Sequence, residues 1–141
     1  MAAFVDTNVL IYALVADQEK AADKVNKARE LIAGLSRRKE LVLSAQVLSE
    51  FSSNAMRKGD PPLTLSQTLT HIQQLSKQRV LPIDASLVQL ALRRVEQSRI
   101  SYWDALIVEA AIRSGASILY TEDMHHGTIY GALELRNPFL A

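Results

Sequence analysis

A chain of 141 residues, 48% hydrophobic and 22% charged, has the balance of one folded domain rather than a disordered segment. A domain of this length buries about 68–70% of the surface its unfolded form exposes. Its 16 basic and 15 acidic residues leave a net charge of +1, less basic than proteins that coat duplex nucleic acid indiscriminately. Cysteine is absent, which removes disulfides, thiolate zinc sites and a thiol nucleophile, and agrees with a reducing compartment.

Asp6 interrupts the apolar start with no basic region ahead of it, so no export signal is expected. The run VLIYALVA is far short of the roughly 20 residues a membrane helix needs. A cytoplasmic protein without membrane attachment is expected. The basic groups Arg37-Arg38-Lys39, Arg57-Lys58 and Arg93-Arg94 read as solvated helix ends or loops.

In chain order, AFV is a short strand stopped by Asp6, and TNVLIYALVA reads as a buried helix capped by Asp6 or Thr7. Glu19 to Leu35 carries Ala22, Val25, Ala28, Ile32 and Leu35 at spacings of three and four, an amphipathic helix expected to end at Gly34 and the basic triplet. ELVLS is the second strand, and Ser44 caps a helix running to about Lys58. Gly59-Asp60-Pro61-Pro62 is a loop. A polar helix from Thr64 to about Ser76 leads into the strand RVLPI, and Ala85 to Gln97 is helical with Leu87, Leu90, Ala91 and Val95 on one face. Asp104 to Ser114 is a strongly apolar helix that Gly115 ends. SILY is the fourth strand, and LELRNPF reads as an edge strand because Pro138 disfavours the sheet centre.

Short apolar strands alternating with helices predict an α/β domain spanning residues 1–141, with a central parallel sheet of four to five strands flanked by helices. In such sheets ligands bind beyond the carboxyl ends of the strands. Asp6 follows the first strand and Asp123 the fourth, so both belong at that edge. Glu50 borders the apolar face of SAQVLSEF, and Asp104 enters ISYWDALIVEAA on a side that is otherwise buried. Buried carboxylates need a cation, hydrogen-bond donors or a proton. One hard divalent cation would satisfy several together.

Each acid also has an ordinary local role. Asp6 can cap a helix, Ser101 and Asp104 match a capping box, Glu50 can be solvated and Asp123 can form a turn. Four separate local roles are then needed where a shared cation accounts for the set. Trp103, the one tryptophan, is expected in the core rather than against a base. His125 and His126, adjacent in TEDMHHG, lack the i, i+4 spacing of a helical metal pair and are expected in a loop.

The ordered set FVDTNVLIYAL, SAQVLSEF, SYWDALIVEAA and LYTEDMHHG resembles the four acidic motifs of PIN-domain proteins over essentially the whole chain. More narrowly it resembles the VapC-type toxins of type II toxin–antitoxin pairs. The resemblance implies that Asp6, Glu50, Asp104 and Asp123 form the acidic cluster, with Thr7, Asn8 and Thr121 in supporting positions. It implies a Mg²⁺- or Mn²⁺-dependent endoribonuclease acting on RNA, a cognate antitoxin protein as inhibitor, and a homodimer. The chemistry agrees, because phosphodiester hydrolysis needs phosphoryl charge neutralised and water made nucleophilic, and bound divalent metal does both. In that reading Asp6 and Asp104 ligate metal directly, Asp123 binds the same ion or a second one, and Glu50 completes the shell or orients water. Thr121 and Asn8 bond carboxylates or phosphate. Glu122 beside Asp123 points elsewhere or assists.

Three other classes use related features. Haloacid-dehalogenase phosphatases need a second Asp two positions after the first, where Asn8 stands, and receiver domains need a Lys after a late strand, which TEDMHH lacks. A PIN-type nuclease of RNA processing or decay has the same motifs without a toxin role. A non-catalytic RNA-binding module of this fold is expected to lack some of the acids, and none is missing here.

Overall fold

The computed structural model describes residues 1–17, 19–58 and 61–140. Of the loop expected at 59–62, Gly59 and Asp60 lie outside the described residues. The elements run β1 (Ala3–Val5), α1 (Thr7–Leu14), α2 (Ala22–Arg37), β2 (Leu41–Ser44), α3 (Ala45–Lys58), α4 (Leu65–Leu75), β3 (Arg79–Leu81), α5 (Ala85–Ser98), α6 (Tyr102–Ser114), β4 (Ile118–Tyr120), β5 (Ile129–Tyr130) and β6 (Leu133–Arg136).

The sheet has the order β3-β2-β1-β4-β6-β5. β1 pairs in parallel with β2 on one side and with β4 on the other, so the chain reverses its direction of winding at the β1/β4 boundary. Val5 lies opposite Tyr120, and the Asp6 N–H donates to the Tyr120 carbonyl at 2.9 Å. That register sets Asp6 and Thr121 side by side at the switch point, where open α/β sheets hold their ligands.

β1 and β2 are buried along their whole length, as unalternated apolar sequences require of strands covered on both faces. Phe4, Val5, Val42, Leu43 and Leu119 from the strands meet Val9, Leu10, Val47, Phe51, Leu87 and Val108 from the helices in one core. α6 is buried from Ala105 through Ala111, so it is a central helix rather than a half-exposed one. Ser101 caps it by accepting from the Asp104 N–H at 3.1 Å, and Gly115 ends it at φ 77°, a conformation that costs glycine little.

Four expectations change. LELR is not an edge strand: β6 sits between β4, which it pairs in parallel, and the antiparallel two-residue β5. Pro138 lies beyond the end of β6 and removes no ladder bond. Among the described residues the sheet therefore has six strands rather than four to five, five of them parallel. α2 ends at the basic triplet as expected, at Arg37, but it passes through Gly34 without ending there, and the turn falls at Lys39 with φ 57°. One helical Gly costs only about 1 kcal/mol, and Leu35 beside it is buried. Trp103 is 62% exposed and does not belong to the core. Among the described residues no helix is long and apolar enough to cross a membrane.

Candidate active site at the carboxyl edge of the sheet

Asp6, at the end of β1, is 7% exposed and caps α1, its Oδ1 accepting from the Thr7 N–H at 2.7 Å. Its Oδ2 accepts from the Thr121 hydroxyl at 2.9 Å. Thr121 follows β4, is fully buried, and its Oγ1 also receives the Asp123 N–H at 3.3 Å. The Thr7 hydroxyl, one residue on from Asp6, donates to Glu50 Oε1 at 3.0 Å. The Asn8 amide donates to Asp123 Oδ2 at 2.6 Å. Each supporting position named from the sequence thus holds one acid of the cluster.

Asp6, Glu50, Asp104 and Asp123 all line one cavity of about 160 Å³, whose wall is completed by Thr7, Asn8, Gln46, Asn54, Trp103 and Ile107. Strand ends supply Asp6 and Asp123, the first turns of α3 supply Gln46 and Glu50, and the first turn of α6 supplies Asp104. Asp6 is buried, Glu50 and Asp104 are half-buried, and Asp123 is exposed, so the cavity opens toward Asp123.

The electrostatics are those of acids crowded together. Burial pushes the Asp6 carboxyl up from 3.8 to about 6, against the hydrogen bonds from Thr7 and Thr121, and the charges of Asp123 and Glu50 push the same way. Asp123 is also raised, first by burial, then by Glu122 and Asp104, with Lys24 opposing. Among the described residues none of the four cavity acids forms a salt bridge, whereas Glu109, as buried as Asp6, pairs with Arg94 at 2.8 Å. Glu109 is a structural acid; the four in the cavity have charge to spare for a ligand.

Among the described residues no three acid or imidazole groups close into a ready-made metal cage. The donor set still fits a hydrated hard cation: oxygen ligands only, crowded negative charge, and room for water. Gln46 adds a further observation. It is 5% exposed, its amide Nε2 donates to the Trp103 carbonyl at 3.1 Å, and its Oε1 is buried without a partner. A carbonyl can only accept, so the amide N–H must face Trp103 and the oxygen is the side left unpaired. An orphaned acceptor in the wall of an acidic cavity awaits a donor such as water.

Sequence reasoning missed Gln46, although it stands four residues before Glu50 and so shares its helix face. It also missed Lys24, which bonds Glu122 and the Tyr12 hydroxyl and lies over the rings of Tyr12 and Phe139 at 5.2 and 5.5 Å. That clamp turns Glu122 away from the cavity and leaves Asp123 to face it. No local signal marks Lys24, because its partner is 98 residues away. His125 and His126 are exposed and line none of this cavity; His126 Nδ1 accepts from the Asn137 N–H at 2.9 Å. A second cavity, about 300 Å³, shares Asn8 and Asn54 with the first and brings Lys20 and Lys58 to its border.

The sequence model of the PIN domain matches residues 3–130. No curated protein matches. Among solved structures, the chain is similar to a sarcin–ricin-loop-cleaving VapC toxin of Mycobacterium tuberculosis, at 24% identity and a TM-score of 0.64 over 86% of this chain and 90% of that one. A toxin–antitoxin complex from Klebsiella pneumoniae matches at 15% identity and a TM-score of 0.71, over 97% of this chain and 98% of that one. A VapBC complex of Rickettsia felis, bound to a DNA fragment from its promoter, matches at 20% identity and a TM-score of 0.65, over 97% and 98%.

Proposed function

This chain belongs to the PIN domain family, and on that premise we propose that it is a Mg²⁺- or Mn²⁺-dependent endoribonuclease acting as the toxin of a type II toxin–antitoxin pair. The observation that carries the reading is the convergence of Asp6, Glu50, Asp104 and Asp123 on one cavity, none of them in a salt bridge among the described residues. Asp6, Asp104 and Asp123 are the residues that would hold the ion. When bound, a divalent ion supplies positive charge at the phosphate oxygens and lowers the pKa of water.

The chain's own residues do the rest. Thr121 and the Thr7 N–H fix both oxygens of Asp6, so that carboxylate is rigid before any ligand arrives. Asn8 performs the same service for Asp123. Glu50, steadied by the Thr7 hydroxyl, takes a proton from the attacking water. Gln46 Oε1 accepts from water in the cavity. The shared border brings Lys20 and Lys58, with Asp17 among them, beside the acidic opening, and its excess of positive charge favours the approach of a polyanion.

The toxin role and an antitoxin partner are supported by the similar structures, a sarcin–ricin-loop-cleaving VapC toxin and two toxin–antitoxin complexes. A homodimer and a cytoplasmic location belong to the same reading. The test is incubation of the purified protein with mixed RNAs in Mg²⁺, Mn²⁺ and EDTA, together with expression in cells. Metal-dependent internal cleavage and growth arrest relieved by a neighbouring DNA-binding protein are expected. Cleavage without growth arrest would leave a nuclease of RNA processing, and RNA binding without cleavage in either metal would leave a binding module.

A further inference from the structure

Trp103 is the only tryptophan in the chain and is 62% exposed, although it lies in the first turn of the largely buried α6. Two contacts fix it there. Its carbonyl accepts from Gln46, and its ring meets Tyr102 edge-on at 5.0 Å and 73°. Trp103 lines the carboxylate cavity and also an adjoining groove of about 320 Å³ that it shares with Ser49, Glu50 and Ser53. Glu50 and Trp103 are thus common to both hollows, and the groove continues directly from the acids.

We propose that Trp103, in this largely apolar groove, is the stacking platform for a nucleobase next to the phosphate cut at the acidic cluster. The inference rests on the ribonuclease reading and extends it to substrate binding. Unpaired bases are held by stacking on aromatic rings, while hydrogen bonds read their edges. A rigid indole beside the reacting phosphate fixes the strand without adding charge to a site already crowded with carboxylates. Single-stranded RNA is the occupant because the groove shares Glu50 and Trp103 with the cavity where its phosphate would be cut, and an exposed indole in an apolar groove suits a base face.

Because Trp103 is the sole tryptophan, its emission reports its own surroundings. Short single-stranded RNAs of mixed sequence are titrated into the protein in EDTA, which holds cleavage off, with binding followed by tryptophan emission and by anisotropy of a dye on the RNA. The expected result is quenching on binding, an affinity about tenfold lower in Trp103→Ala, and most of it kept in Trp103→Phe. With Mg²⁺ the Ala variant should show a raised KM and a kcat close to wild type. RNA binding with unchanged emission, and equal affinity in Trp103→Ala, would overturn the platform and leave the ribonuclease reading standing. Absence of both binding and metal-dependent cleavage in the wild type would bring down the two together. A Trp103→Ala protein that turns from dimer to monomer in sedimentation, with RNA affinity unchanged, would assign this face to a second copy of the chain instead.

Discussion

The Thr121 hydroxyl donates to Asp6 Oδ2 at 2.9 Å, joining the ends of two neighbouring parallel strands whose residues are 115 positions apart. The bond exists because β1 and β4 are paired with Val5 opposite Tyr120. It holds a buried carboxylate that, among the described residues, has hydrogen-bond donors but no salt-bridge partner. That arrangement has consequences for stability as well as for chemistry.

Asp6 should destabilise the metal-free protein near neutral pH. Its folded-state pKa is raised from 3.8 to about 6, so the native state favours the protonated form. The stabilising contribution is fully present below the unfolded value and is lost as pH rises through about 6. Asp6→Asn keeps a helix cap and removes the charge. In EDTA at pH 7.5 it should raise stability by about 1–3 kcal/mol, roughly 3 °C in Tm per kcal/mol, with little effect near pH 4. Thermal denaturation across this range checks the sign; a variant less stable than wild type at pH 7.5 would refute the burial argument.

Divalent ions should reverse that cost. Mn²⁺ at ten times its dissociation constant should stabilise the wild type by about 1.4 kcal/mol. The gain should shrink at pH 5, where protons compete for Asp6 and Asp123, both of which are raised. Asp104→Asn should lose most of the shift. Equal Mn²⁺ stabilisation of that variant would place the ion elsewhere.

Asn8 is expected to act through Asp123. Its amide holds Asp123 Oδ2 at 2.6 Å at an exposed position, so Asn8→Ala should alter stability by less than about 1 kcal/mol. Cleavage or metal affinity should still fall by about 10–100-fold, as when a ligand's supporting partner is lost. An Asn8→Ala protein with unaltered Mn²⁺ affinity and rate would show that Asp123 needs no such support.

Arg94 provides the contrasting case. It pairs with buried Glu109 at 2.8 Å and lies over the Tyr130 ring at 5.0 Å, away from the carboxylate cavity. Arg94→Met leaves a buried acid unpaired and should cost about 2–3 kcal/mol, since part of Arg94 remains solvated. Activity per folded molecule should be unchanged, and calorimetry beside cleavage assays separates the two effects.

Much of this site was legible before the fold was known because parallel-sheet topology sends strand ends to one edge. Asp6 and Asp123 follow strands, so their meeting required only that β1 and β4 lie in the same sheet. Glu50 and Asp104 were legible as acids bordering apolar helix faces. Trp103 was not, because α6 is apolar on nearly every side and periodicity cannot tell which way a flanking indole turns. Lys24 and Glu122 were hidden for a different reason, since a clamp formed by tertiary contact leaves no spacing to read. β5 escaped because two residues carry no periodicity, and with it went the reason β6 is interior.

The most direct test of the four-acid account is the cleavage rate of single-stranded RNA in Mg²⁺ by the wild type and by the Asp6→Asn and Asp104→Asn proteins, each shown to be folded by circular dichroism. The account predicts cleavage by the wild type that EDTA abolishes, and rates at least about a hundredfold lower in both variants. Full activity in either variant, or undiminished cleavage in EDTA, would contradict it.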